Sequence, residues 1–244
     1  MRLDSYLADT GLAPSRTRAA KLILAGAVAV NGTIVTKASA DVTETDEVTI
    51  IGAQQKYVSR GGDKLEAALT AFSVDVRGKN VLDVGASTGG FTDCLLQAGA
   101  AHVVAVDAGQ GQLDASLRAH PRVTSMEQCN ARYLKPEYLP CACTMAVMDV
   151  SFISQTLLYP MLASVLAPRG ILVSLIKPQF EAGRAALNRH GVVSDPKLRL
   201  AAVDKVCAIA ADFGFRLVGR MQSPVVGGSG NIEYLACFSI GDNE

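Results

Sequence analysis

Several things are missing from this sequence, and each absence narrows what the protein can be. No apolar run approaches the roughly 20 residues that cross a bilayer. The start, Met1-Arg2-Leu3-Asp4-Ser5, lacks the apolar core of a secretory leader. These two gaps argue against a spanning or exported protein, and a cytoplasmic one is expected. Neither sign of charge prevails: 23 Lys and Arg face 23 Asp and Glu, so no global field gathers nucleic acid, and any RNA site must be a local patch. The six cysteines, Cys94, Cys129, Cys141, Cys143, Cys207 and Cys237, include no Cys-x-x-Cys. Cys141-Ala-Cys143 has no second pair to complete a zinc site. Reduced thiols and no metal are expected. Long repeats and low-complexity tracts are absent too.

What is present is a chain of 244 residues, nearly half of them apolar. That is enough for one full α/β domain plus a small module. The chain is organised around Val81-Leu82-Asp83-Val84-Gly85-Ala86-Ser87-Thr88-Gly89-Gly90-Phe91-Thr92. Val81 to Val84 reads as a buried strand, and the glycines as a tight turn into a helix running to about Ala98. Such a turn brings backbone N–H groups and a positive helix end to a polar ligand. Gly85, Gly89 and Gly90 do not make the dinucleotide fingerprint, and no Gly-Lys-Ser/Thr follows to make a Walker loop. Asp83 before the glycines, and Asp107 ending the apolar run His102 to Val106, suit a ligand with an adenosine ribose. The pattern resembles motif I of S-adenosylmethionine (SAM) methyltransferases; a glycine turn in another doubly wound fold is the alternative.

Residues 1–52 read as helix, turn, helix and short strands. Leu3 and Leu7 share a face, Ser15 caps a second helix after Pro14, and Leu22 and Ile23 point inward. Gly26 stops that helix. Val28 and Val30 lead into an Asn31-Gly32 turn, with Val48 and Ile50 in a later strand. Arg16 and Arg18 lie in the first turn of the second helix, where the macrodipole disfavours cations by about 0.3–1 kcal/mol each. An external anion such as RNA phosphate would remove the conflict; solvated surface arginines are the bland alternative. Arg2, Lys21 and Lys37 add positive charge against Asp4 and Asp9, whereas Asp41, Glu44, Asp46 and Glu47 form an acidic run facing away from RNA. The order Arg-Leu-Asp, Ser-Arg, Gly-x-Val-x-Val-Asn-Gly and Asp-x-Val resembles the RNA-binding fold named after small-subunit ribosomal protein S-four. The resemblance implies RNA contacts from Arg2, Arg16, Arg18 and Lys21.

Residues 53–58 read as a short polar linker, and 59–244 as the second domain. Ser59-Arg60-Gly61-Gly62-Asp63-Lys64-Leu65 opens a helix. Strands are expected at 123–126, 145–150 and 171–176, with helices at 113–119, 153–166 and 197–213 and two closing strands at 216–221 and 233–240. Strands alternating with helices predict a mostly parallel sheet covered on both faces, with an antiparallel pair at one edge. Ligands bind such sheets at the carboxyl ends of the strands. Asp149 and Lys177 end two strands that, if adjacent, lie about 4.8 Å apart. Glu233 begins the last strand at the same rim, and Lys64 is the natural fourth member.

This Lys-Asp-Lys-Glu set is similar to the tetrad of RrmJ/FtsJ-like RNA ribose 2′-O-methyltransferases. With Asp-Val-Ser-Phe-Ile-Ser, Lys-Pro-Gln-Phe-Glu and Gly-Asn-Ile-Glu-Tyr behind the RNA module, the whole chain resembles the TlyA (haemolysin A) family. The resemblance implies a class I SAM-methyltransferase fold (Rossmann-like, α/β) and catalysis by Lys64, Asp149, Lys177 and Glu233. It implies SAM binding by Asp83, Gly85, Ser87, Thr88, Gly89, Gly90, Phe91, Asp107 and Asn130. Lys177 is assigned as proton acceptor, its pKa lowered towards roughly 7–8 by crowding and desolvation. Lys64 is assigned to the hydroxyl, Asp149 to orienting Lys177 and Glu233 to holding Lys64. Short termini, compared with longer members that modify both ribosomal subunits, imply a cytidine in large-subunit ribosomal RNA (23S). Rivals fare worse. A cytosine C5-methyltransferase needs a cysteine at a strand's carboxyl end, and Cys141 precedes its strand. An amino-methyltransferase would show Asn/Asp-Pro-Pro-aromatic at Asp149-Val-Ser-Phe152. A membrane-acting haemolysin lacks a lytic segment, and an RNA-binding protein with an inactive domain would not need an intact tetrad.

Overall fold

The computed structural model describes residues 1–51, 56–228 and 230–241. The chain divides into two compact units, Met1–Lys56 and Tyr57–Glu244. The linker expected at 53–58 lies outside the described residues over 53–55. Its end differs from a polar linker: Tyr57 is buried and Val58 packs beside it in the second unit's core. Glycine explains the fit, because Tyr57 occupies the space where a side chain at residue 62 would begin.

In the first unit, α1 (Leu3–Asp9) and α2 (Arg16–Leu24) pair across Leu3, Leu7, Ala19 and Ile23, all fully buried. The four-residue spacing of Leu3 and Leu7 puts both on one helix face. Ser15 accepts a hydrogen bond from the Arg18 N–H at 3.3 Å and caps α2. Three antiparallel strands follow, β1 (Val28–Val30), β2 (Thr33–Ile34) and β3 (Val48–Ile50), in the order β2-β1-β3. Asn31 and Gly32 both have positive φ, as the two-residue hairpin between β1 and β2 requires.

The second unit starts with α3 (Gly61–Ala71) and continues through β4 (Asn80–Val84), α4 (Gly90–Gln97), β5 (His102–Val106), α5 (Ala115–Arg118) and β6 (Val123–Met126). Then come β7 (Cys143–Met148), α6 (Tyr159–Val165), β8 (Leu166–Ile176), α7 (Pro178–Glu181), α8 (Pro196–Asp212), β9 (Phe215–Gln222) and β10 (Tyr234–Ile240). The sheet runs β6-β5-β4-β7-β8-β10-β9, with β10 antiparallel to both neighbours and the other pairings parallel. Strands covered on both faces carry unbroken apolar runs. Accordingly, Leu82, Ala146 and Leu172 meet Tyr159, Leu162 and Val203 on one face. Val81, Met145 and Val173 meet Leu65 and Leu95 on the other. Tyr159 fills the first layer between the rings of Phe215 and Phe238, at 5.6 and 6.4 Å. The order reverses at β4 and β7, so the crevice at their carboxyl ends is where this architecture takes a ligand.

Candidate active site

The glycine loop is fixed from below and from the side. Asp83 shares its strand face with Val81 and is fully buried beneath α4. Its carboxylate accepts a hydrogen bond from Thr92 Oγ1 at 2.6 Å. Burial pushes the carboxyl up to about 7, the Thr92 bond opposes this, and Asp149 adds to it. Asp83 therefore braces the loop; it is not a wall of the SAM-sized cavity. Gly85, at φ +84°, lies where a Cβ would come within 2.5 Å of the Asp149 carbonyl oxygen. Gly89, at φ +95°, faces Leu117 and Leu113 of the α5 region, so it serves packing. Asp107 closes the loop's open side: its carboxylate accepts from the N–H groups of Ser87 (2.8 Å) and Gly109 (2.7 Å).

Around this loop lies a cavity of about 530 Å³, lined by Gly85, Ser87, Asp107, Asn130 and the apolar Ile153 and Leu158. The volume lies within the range of small-molecule sites. Each Asp107 oxygen accepts one N–H and has a lone pair left for a hydroxyl. Asn130 caps the next turn through its side-chain oxygen, at 3.1 Å from Arg132 N. Acid, glycine turn and apolar slot together fit the ribose, carboxylate-bearing chain and adenine of SAM. Thr88, Gly90 and Phe91 line a second, adjoining cavity of about 250 Å³, with Lys64, Asp149 and Lys177.

The four charged residues arrive as two ion pairs. Lys177 Nζ stands 2.6 Å from Asp149 Oδ1, and Lys64 Nζ stands 2.6 Å from Glu233 Oε2. The first pair joins the ends of the neighbouring strands β7 and β8. The second joins α3 to the residue that precedes β10, across 169 positions of chain. Lys64 and Lys177 expose only 11% and 12% of their side chains. Lys177 also donates to Ser151 Oγ at 2.8 Å. Ser151 borders both cavities and a third of about 730 Å³, which also holds Lys177, Glu233, Gln179, Arg184 and His190.

Several residues here carry no individual signal in the sequence. Phe152 is 89% exposed at φ +67°, with its ring 5.2 Å from that of Phe180. Gln179 donates weakly to Glu233 Oε1 at 3.4 Å. Glu181 is buried, and burial raises its carboxyl pKa against the pull of two hydrogen bonds. Asp-Val-Ser-Phe-Ile-Ser and Lys-Pro-Gln-Phe-Glu point to them only as whole motifs.

In the first unit Asp4 corrects the expectation of an unmet cationic turn. It accepts from Arg2 at 3.0 and 2.9 Å and from Arg16 at 3.4 Å, which holds its carboxyl far below the usual range. The helix-end conflict is thus answered in part internally. Arg2 and Arg16 still expose 51% and 62% of their side chains, and Lys21 is exposed. Arg18 lies in the first turn beside them.

A seven-stranded sheet with one reversed strand, carrying a glycine loop and an acidic partner at its switch point, defines a class I SAM-dependent methyltransferase. An FtsJ-like methyltransferase model matches residues 57–240, and an S4 domain model matches residues 1–48. The chain is 45% identical to the 16S/23S rRNA (cytidine-2′-O)-methyltransferase TlyA of Mycobacterium tuberculosis, over 96% of this chain and 87% of that one. It is 36% identical to the 23S rRNA (cytidine-2′-O)-methyltransferase TlyA of Campylobacter jejuni, over 80% of this chain and 75% of that one. A solved structure of a hemolysin-named protein from Streptococcus thermophilus matches with a TM-score of 0.79 and 42% identity, covering 99% of this chain and 89% of that one. The chain belongs to the FtsJ-like methyltransferase family, in its TlyA branch. Among the described residues no helix is long and apolar enough to cross a membrane.

Proposed function

We propose that this protein moves a methyl group from SAM to the 2′-hydroxyl of a cytidine in ribosomal RNA, in the cytoplasm, with large-subunit RNA as its substrate. One observation carries the reading: two lysine–carboxylate pairs meet at the rim of the cofactor cavity, with Lys177 facing two of the three cavities. SAM, when bound, supplies an activated methyl group. What the chain must add is alignment and a place for the hydroxyl proton. Lys177 Nζ is placed to accept that proton, and Asp149, 2.6 Å away, to stabilise the ammonium that results. Lys64, held by Glu233, donates to the same hydroxyl and orients its lone pair. Phe152 offers an exposed ring at the mouth, where an unstacked base can lie; such stacking is worth about 1–3 kcal/mol per base.

Both relatives carry 23S ribosomal RNA in their names, the Mycobacterium tuberculosis one with 16S beside it, which supports the large subunit as the substrate they share. The S4 module supports docking through the backbone of structured RNA, with Arg2, Arg16, Arg18 and Lys21 as phosphate contacts. The test combines purified protein, labelled SAM and ribosomal subunits lacking the modification. Label is expected at a cytidine 2′-oxygen of the large subunit. Lys177→Ala is expected to lose at least 100-fold in transfer while keeping its SAM affinity by calorimetry. Near-normal transfer by that variant would remove Lys177 as the base. Equal label in the small subunit would remove the restriction to the large one.

A further inference from the structure

The loop after β7 carries Asp149, Ser151 and Phe152, and it is pinned at both ends. At its start, Asp149 N–H donates to the Val84 carbonyl at 3.0 Å. At its end stands Glu181, which the proposed chemistry does not use. Its Oε2 accepts from Ser154 Oγ at 2.6 Å, and its Oε1 accepts from the Gln155 N–H at 2.9 Å. Gln155, itself buried, is hydrogen-bonded through its side chain to Ser174, a fully buried residue of β8. Ser174 lies opposite Met148 in the β7–β8 register, so the tie returns to the strand from which the loop departs.

Glu181 closes the short helix α7 that begins one residue after Lys177. One carboxylate therefore joins the segment bearing Lys177 to the loop bearing both Lys177 partners, Asp149 and Ser151. Between the two pins the backbone takes its one strained turn, at Phe152, whose φ of +67° is disfavoured for a residue with a side chain. We infer that Glu181 is a positioning residue for methyl transfer: it latches the 149–155 loop so that Asp149 and Ser151 hold Lys177 and Phe152 stands at the cavity mouth. This rests on Lys177 being the proton acceptor.

Glu181→Gln keeps the size and replaces one acceptor oxygen by an NH₂ group, which cannot accept from both donors. Ser154→Ala removes one of the two bonds, together with the cap that Ser154 Oγ places on the Thr156 N–H at 3.3 Å, and Ser154→Thr restores the hydroxyl to both. The expected result is a 10- to 100-fold fall in kcat for Glu181→Gln, the cost typical of removing a partner of a site residue, and a smaller fall for Ser154→Ala. Ser154→Thr is expected to recover most of the rate. SAM Kd should stay within twofold throughout, and amide exchange should rise over 150–153 alone. Lys177→Ala is measured beside them. If it is inactive while Glu181→Gln and Ser154→Ala keep wild-type kcat, the latch is wrong and the base assignment stands. If Lys177→Ala is active, both fall. A kcat loss matched by equal losses of SAM affinity and thermal stability would mean a general structural role and would also overturn the latch.

Discussion

Asp83 shows how a single residue can serve a site it does not touch. Its carboxyl is pushed up to about 7 by burial, against an ordinary value of about 3.9 when the chain is unfolded. Between those values the folded protein holds a proton that the unfolded chain has released. The contribution of Asp83 to stability is therefore greatest below about pH 4, falls as pH rises through the window, and levels off above pH 7. Asp83→Asn keeps the shape and the bond to Thr92 but does not titrate. Relative to wild type it is expected to gain about 2–3 kcal/mol between pH 5 and pH 8, read from urea unfolding at both. The same gain at both pH values would show that Asp83 is not the titrating group. The sequence marked Asp83 as acidic and close to the glycines. It did not reveal that strand alternation turns this side chain inward, under Thr92, because nothing local tells which face α4 covers.

At the scale of elements, the loop–helix junction from Gly85 to Gly90 depends on backbone that only glycine tolerates, and Gly89 is its sharpest point. A Cβ there would have to adopt φ +95° and displace the Leu117 side chain. Gly89→Ala is expected to cost on the order of 2–4 kcal/mol from strain and overpacking together, measured by denaturant unfolding. SAM affinity should fall with it, since α4 and α5 would part beneath the loop. An alanine variant as stable as wild type would mean that α5 yields freely. Elements were the part of the fold most legible in advance. The apolar run before the glycines, the alternation of strands and helices and the reversal at the end all followed from periodicity and breakers. So did the rim shared by Asp149, Lys177 and Glu233, because strand ends converge by topology. The Glu181–Ser154–Gln155 tie could not be read, since Glu181 lies 26 residues beyond Gln155, the neighbour of Ser154, and nothing in either motif signals that they meet. Asp4 hid in the same way, two residues from one arginine and twelve from another.

For the molecule as a whole, the chain has no net charge, yet its RNA partner is a polyanion. The proposed attraction comes from a few cations on the first unit rather than from the total. Replacing Arg16, Arg18 and Lys21 together by Ala is expected to weaken RNA binding. The slope of log affinity against log salt should fall by roughly 0.7–0.9 for each phosphate no longer neutralised, as followed by filter binding at several salt concentrations. Asp4 reduces the share expected from Arg16, because part of its charge is already answered at 3.4 Å. An unchanged slope would place the RNA on another face.

The reversed strand β10 also sets a timetable. It sits between β8 and β9 and bonds to both, so until it arrives β9 has no partner and the sheet stops at β8. Glu233 comes with it, and Lys64, synthesised 169 positions earlier, waits for its carboxylate. At about 5–20 residues per second on the ribosome that wait is roughly 10–30 s. A nascent chain can close its cofactor loop during that time, but it cannot assemble both lysine pairs.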